Sequence, residues 1–173
     1  MLPTTVAVVQ FPNVQKATEA VVDVMNKGVG IRMFQFHHHA PLKNVIPILA
    51  FSSFCTECVE LVDSLFITAI NKVGMSKHKW PEKDSLFFKF QGPSAASIQE
   101  TAEVVKGVVE KHGGTGFQLA RSEEEANDLW SDRKNAHYAG LALAEGCQGW
   151  PTDVWYALSA SFFFFFGLLI ISV

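Results

Sequence analysis

Four short apolar runs alternate with four stretches of helical periodicity, and that alternation restricts the chain to a layered fold of sheet and helix. Thr4–Phe11 is apolar and β-branched and stops at Pro12, which predicts a strand. Asn13 then offers an N-cap, and Val14, Ala17, Val21, Val24 and Met25 share one helical face before Lys27-Gly28. Residues 59–62 predict a second strand, leading into a short helix over Ser64–Val73. Residues 74–84 are polar and basic and contain Pro81, so they read as a loop. Residues 86–90 form a third strand whose alternation is broken by the adjacent Phe87 and Phe88. Pro93-Ser94 opens a third helix with Ile98, Ala102, Val105 and Val109 on one face, closed by Lys111-His112-Gly113-Gly114. Residues 116–120 are a fourth strand. The order alone permits a parallel doubly wound sheet, since alternation does not set strand direction.

Residues 122–140 carry the strongest local signals. Ser122 and Glu125 fit a capping box, with Ser122 accepting from the Glu125 N–H and Glu125 reaching back to the Ser122 N–H. Glu123, Glu124 and Glu125 suit the positive end of a helix dipole. Ala126, Leu129, Trp130 and His137 form an apolar stripe, and Arg133 falls in its middle. A guanidinium on a buried face needs a counter-charge. Two readings fit. Arg133 grips a substrate carboxylate fork-to-fork, or it pairs with an Asp or Glu of its own domain, or lays its stem on Trp130 with its head in water.

Leu129, Trp130, Arg133, Asn135, Ala136, Tyr138 and Leu141, followed by Thr152-Asp153-Val154, resemble the FAD-linked D-lactate dehydrogenases of the cytochrome type from fungal and animal mitochondria. Residues 3–12, 58–63 and 85–92 resemble strands of that family's C-terminal cap domain, and the resemblance covers 2–31 and 58–154. It implies an α+β fold: a partial, ferredoxin-like cap domain with an antiparallel sheet and helices on one face. In this family a separate N-terminal domain binds FAD, and the cap lies over the flavin and holds the hydroxy acid. The resemblance therefore implies oxidation of D-lactate to pyruvate with cytochrome c as acceptor, in mitochondria. It also implies zinc or another divalent metal. The family's metal-binding His motif, its C-terminal Glu and its Gly-rich FAD segments have no counterparts in this sequence, which resembles the first half of a cap. The chain by itself is expected to bind no FAD and to turn over nothing, with no catalytic, cofactor or metal residues of its own. Arg133 is the expected carboxylate partner. His137 lines the same pocket or is a packed helix residue. Thr152 and Asp153 contact substrate or support Arg133, or Asp153 serves a salt bridge or turn. D-2-hydroxyglutarate dehydrogenases and glycolate oxidase subunits are neighbouring readings, and the pattern from Trp130 to Tyr138 favours D-lactate.

The net charge of −3 and pI near 6.0 exclude an electrostatic case for nucleic acid or an acidic membrane surface. Three cysteines make no disulfide framework, which favours a reduced setting. No presequence is visible at the start, as expected of a piece lacking its N-terminal half.

Two stretches do not fit the resemblance. Residues 32–57 contain His37-His38-His39 and end against Cys55-x-x-Cys58. Three adjacent His lack the paired spacing of a zinc site, and the Cys pair is a weak redox signal. The codons permit another reading. Arg32-Met33 can be encoded C-GTATG and Glu57 can end in AG, so that removing the bases between the C and that AG joins Ile31 to Cys58 through a single Gln codon. Residues 32–57 then read as an unspliced intron, expected as a disordered insert. Residues 155–173 are uncharged and rich in Phe, long enough for an apolar transmembrane helix. A tail-anchored, non-enzymatic membrane protein is thus the rival reading. The codons of Trp155-Tyr156-Ala157 equally permit a splice site, which makes the tail a read-through.

Overall fold

The computed structural model describes residues 2–27, 29–31, 34–37, 55–74, 76–142, 148–158 and 161–171, with side chains for 2–27, 29, 58–74 and 76–142. The elements are β1 (Thr4–Phe11), α1 (Val14–Asn26), β2 (Gly30–Ile31), β3 (Phe34–His37), β4 (Cys55–Val62), α2 (Ser64–Val73), β5 (Asp84–Gln91), α3 (Ala95–Lys111), β6 (Thr115–Leu119), α4 (Glu123–Ala142), β7 (Gln148–Leu158) and β8 (Ser161–Ile171).

Each of the first three helices starts on a side chain that accepts an orphan N–H. Asn13 takes that of Lys16, Asp63 that of Phe66, and Ser94 that of Ser97. Gly74, at φ 69°, ends α2 in the left-handed conformation that a side chain resists.

β5 lies between β1 and β4 and runs antiparallel to both, and β6 pairs antiparallel with the outer edge of β1. β1 and β4 are therefore parallel, with a third strand between them. This is the split βαβ arrangement of a ferredoxin-like fold. It confirms the antiparallel α+β sheet and removes the parallel alternative. β2 and β3 run parallel to β4, beside its first and last residues respectively. The sheet continues through β8 to β7.

The helices cover both faces, which corrects the expectation of one. Ala7, Val9 and Phe11 of β1, with Val59 and Leu61 of β4 and Phe88 and Phe90 of β5, pack against α1 and α3. Val6, Val8, Val62 and Phe87 point the opposite way, into a second core with α2 and α4. Successive side chains on a strand alternate faces, so a sheet apolar on both sides needs two helical layers. The adjacent Phe87 and Phe88 follow from this: each fills a different core.

Two further expectations change. Within the insert expected to be disordered, Phe34–His37 and the first residues of β4 are strands; 32–33 and 38–54, including His38 and His39, lie outside the described residues. The tail expected as an apolar helix is extended, with β8 pairing antiparallel along β7 from Gln148↔Ile171 to Leu158↔Ser161. Its consecutive Phe residues suit a strand better than a helix. No helix among the described residues is long and apolar enough to cross a membrane.

Candidate anion site beneath the fourth helix

Strand alternation turns Val59 and Leu61 toward α1 and α3, and Glu60 toward α4. The Glu60 side chain is only 4% exposed, and above it Arg133 of α4 is 14% exposed. Arg133 Nε and Glu60 Oε2 form an ion pair. The Cys58 thiol, two residues back on the same face, donates to Glu60 Oε1 at 3.3 Å. Cys58 stands opposite Lys89 of β5 in the sheet register. Lys89 Nζ and Arg133 Cζ each lie 5.7 Å from the centre of the Trp130 ring, within cation–π range. Burial pushes the Arg133 guanidinium down to about 10, with Cys58 acting in the opposite direction. The group is therefore a cation at neutral pH.

Of the two sequence readings, the geometry thus shows an internal Glu as Arg133's partner and Trp130 beneath its head. Glu60 was missed. Its one signal in the sequence is a carboxylate in the middle of an otherwise apolar strand.

A second buried carboxylate was missed as well. Asp132 is buried, and its Oδ2 accepts from Trp80 Nε1 at 3.1 Å and lies 2.8 Å from His78 Nδ1. Lys77 pairs with Asp128 one turn earlier, at 3.0 Å. The segment read as a polar loop is therefore fastened to α4, with Trp80 buried in the second core.

At the start of α4, Ser122 Oγ accepts from the Glu125 N–H at 3.1 Å, as expected. The return contact differs. The Glu125 carboxylate takes the Arg121 N–H at 2.7 Å and the Gln118 amide at 2.9 Å, rather than the Ser122 N–H. These hydrogen bonds lower its pKa, the Arg121 backbone contributing most.

His137 lies one turn beyond Arg133, its ring edge-on to Tyr138 with centroids 5.2 Å apart; Tyr138 itself is 62% exposed. Thr152 and Asp153 are on β7, opposite Gly167 and Phe166. In the strand order β4-β3-β8-β7 they stand three positions from Glu60's strand, roughly 14 Å away at ordinary spacing. Their side chains lie outside the described residues.

The described residues hold no group of three or more His, Cys, Asp or Glu placed for a metal ion. A pyrophosphate favours a helix N-terminus with open N–H groups. Here Asn13, Asp63, Ser94 and Ser122 each take one of the first-turn N–H groups, and α4 begins with Glu123, Glu124 and Glu125, whose charge disfavours an anion there.

Residues 3–160 match the family described as FAD linked oxidases, C-terminal domain. The chain is 29% identical over 148 residues to a probable mitochondrial D-lactate dehydrogenase of Danio rerio, covering 86% of this chain and 24% of the relative. It is 29% identical over 155 residues to a mitochondrial D-lactate dehydrogenase (cytochrome) of Kluyveromyces lactis, covering 87% and 23%. The corresponding protein of Arabidopsis thaliana is 29% identical over 154 residues, covering 89% and 22%. The chain thus spans less than a quarter of the length of these relatives.

Proposed function

Because the chain belongs to the FAD-linked oxidase C-terminal domain family, we propose that it is part of the substrate-holding cap of an FAD-dependent oxidoreductase acting on a D-2-hydroxy acid, with D-lactate the first choice. The observation that carries this reading is Arg133: a mostly buried guanidinium, charged at neutral pH, on the helix that carries the family-like pattern. A hydroxy-acid carboxylate needs such a fixed cation, and a guanidinium offers five donors in a planar fork. His137, one turn on, lies on the same side of α4. Thr152 and Asp153 on β7 are proposed to contact substrate or support Arg133, with a salt-bridge or turn role the alternative for Asp153.

The flavin is proposed to be bound by a part of the enzyme that this chain does not supply. When bound there, it provides the two-electron acceptor chemistry. The chain's own contribution is to bind and orient the acid. The proposal includes oxidation of D-lactate to pyruvate, cytochrome c as the electron acceptor and a mitochondrial setting. The relatives' names support D-lactate as substrate, a cytochrome acceptor and a mitochondrial setting. The isolated chain is proposed to be inactive.

We also propose that residues 32–57 are a translated intron and that the family sequence resumes at Cys58. One structural observation favours this. Gly30–Ile31 lies parallel and adjacent to Cys55–Thr56, next to the place in the sheet it would fill if the insert were removed.

The test starts from the transcript across the codons for Ile31 to Cys58 and beyond Val154. A spliced frame that continues on both sides is the expected result. In the enzyme so encoded, D-lactate should reduce cytochrome c, and Arg133→Met should lower kcat/KM by about 100-fold, the loss of one bidentate charged contact. Unchanged kcat/KM in that variant sinks the assignment of Arg133. Competition with D-2-hydroxyglutarate and glycolate in the same assay ranks the alternative substrates.

A further inference from the structure

Glu60 Oε2 pairs with Arg133 at Nε. Glu60 is itself held, because Cys58 donates to its other oxygen. Its backbone is fixed in the interior of β4, paired to Phe87 of β5. Both carboxylate oxygens therefore have defined work, and both lie on a rigid element. Arg133, by contrast, stands on a helix and reaches the sheet through a long side chain over Trp130.

We infer that Glu60 is a positioning residue of the anion site: it fixes the Arg133 guanidinium against β4 and balances its charge when no ligand is present. A side-on grip through Nε requires Glu60 to leave. The inference rests on the reading of Arg133 as the carboxylate partner, and it adds the residue that aims it. Cys58 has a supporting part, as the donor that orients Glu60.

The experiment uses the 173-residue chain with 15N-labelled arginine, whose side-chain Nε–Hε signals come only from Arg32, Arg121 and Arg133. Arg133→Lys assigns the signal. In the wild type, the Arg133 Hε should exchange with water at least about tenfold more slowly than that of the exposed Arg121, the equivalent of one charge-assisted hydrogen bond. Glu60→Gln, which keeps the shape and removes the charge, should abolish that protection and shift the signal. Glu60→Asp should restore part of it. Equal exchange of Arg133 and Arg121 in the wild type overturns the inference without any variant having to fold. So does full protection in a folded Glu60→Gln chain.

Addition of D-lactate separates this inference from the functional reading. If D-lactate moves none of the three arginine signals while the Glu60 variants behave as expected, the substrate role of Arg133 is lost and the positioning by Glu60 stands. If D-lactate shifts the Arg133 signal and leaves the Nε protection in place, Glu60 holds Arg133 in the complex as inferred. If it releases the Nε protection, Glu60 is displaced on binding and does not position Arg133 for the ligand.

Discussion

Removing one half of the Arg133–Glu60 pair strands the other charge between β4 and α4. An isolated buried charge is costly, so Arg133→Met should destabilise the chain by about 3–5 kcal/mol. The double change Arg133→Met with Glu60→Leu should recover most of that loss, because two apolar groups leave nothing unpaired. Urea unfolding of the single and double variants measures both. A double variant no more stable than the single one would show that the pair does more than cancel charge. Asp132 sets up a parallel case. Asp132→Asn keeps the volume but weakens the acceptor shared by His78 and Trp80. The expected cost is about 1–3 kcal/mol, with quenching or shift of Trp80 fluorescence as a second readout. Arg133 was legible in the sequence because a cation interrupts an apolar stripe at helical spacing. Glu60 and Asp132 were not. Their meaning depends on which strand and which loop lie under α4, and no local pattern encodes that.

The elements themselves were largely legible, and α4 shows where the reading stopped short. Ser122 was found as its cap because a hydroxyl before a helical run has one obvious use. The return contact was misplaced by one residue, since Glu125 also had Gln118 of β6 within reach. Ser122→Ala should cost about 1 kcal/mol, read from the unfolding midpoint. The pH dependence has a definite sign. The folded-state pKa of Glu125 is lowered from 4.5. Its contribution is therefore present above the unfolded value and is lost as pH falls through the lower folded value. Glu125→Gln should flatten the acid side of the stability curve below pH 4.5 by lowering the neutral plateau toward the acid value. A variant curve parallel to the wild type in acid would remove Glu125 from the account. Layering was harder to read than helices. The continuous burial of β1 and the pair Phe87-Phe88 were signs of a sheet covered on both faces, yet they appeared in the sequence only as imperfect alternation.

At the scale of the whole molecule, the four-stranded order β6-β1-β5-β4 carries both cores, while β2 and β3 add only to the outer edge of β4. The ladder between β4 and β5 is regular from Val62 back to Cys58 and then shifts register before Thr56, leaving Glu57 as the extra residue. That irregularity falls at the proposed intron boundary. Replacing residues 32–57 by a single Gln would let Gly30-Ile31-Gln take the place of Cys55-Thr56-Glu57, three residues for three, after a sideways move of about 4.8 Å, one strand spacing. Closing a shorter connection also costs less chain entropy, by about 0.6 kcal/mol for each halving. The shortened chain should therefore keep its two cores and unfold at an equal or higher urea concentration, with slow amide exchange preserved through Val59–Leu61 and Leu86–Phe88. A shortened chain that loses more than about 2 kcal/mol would mean that β3 and its neighbours are a working part of the sheet, since a loss of that size needs a specific structural cause. The same protein would then have to be read as a variant of the family with an extended sheet, and the splice hypothesis abandoned.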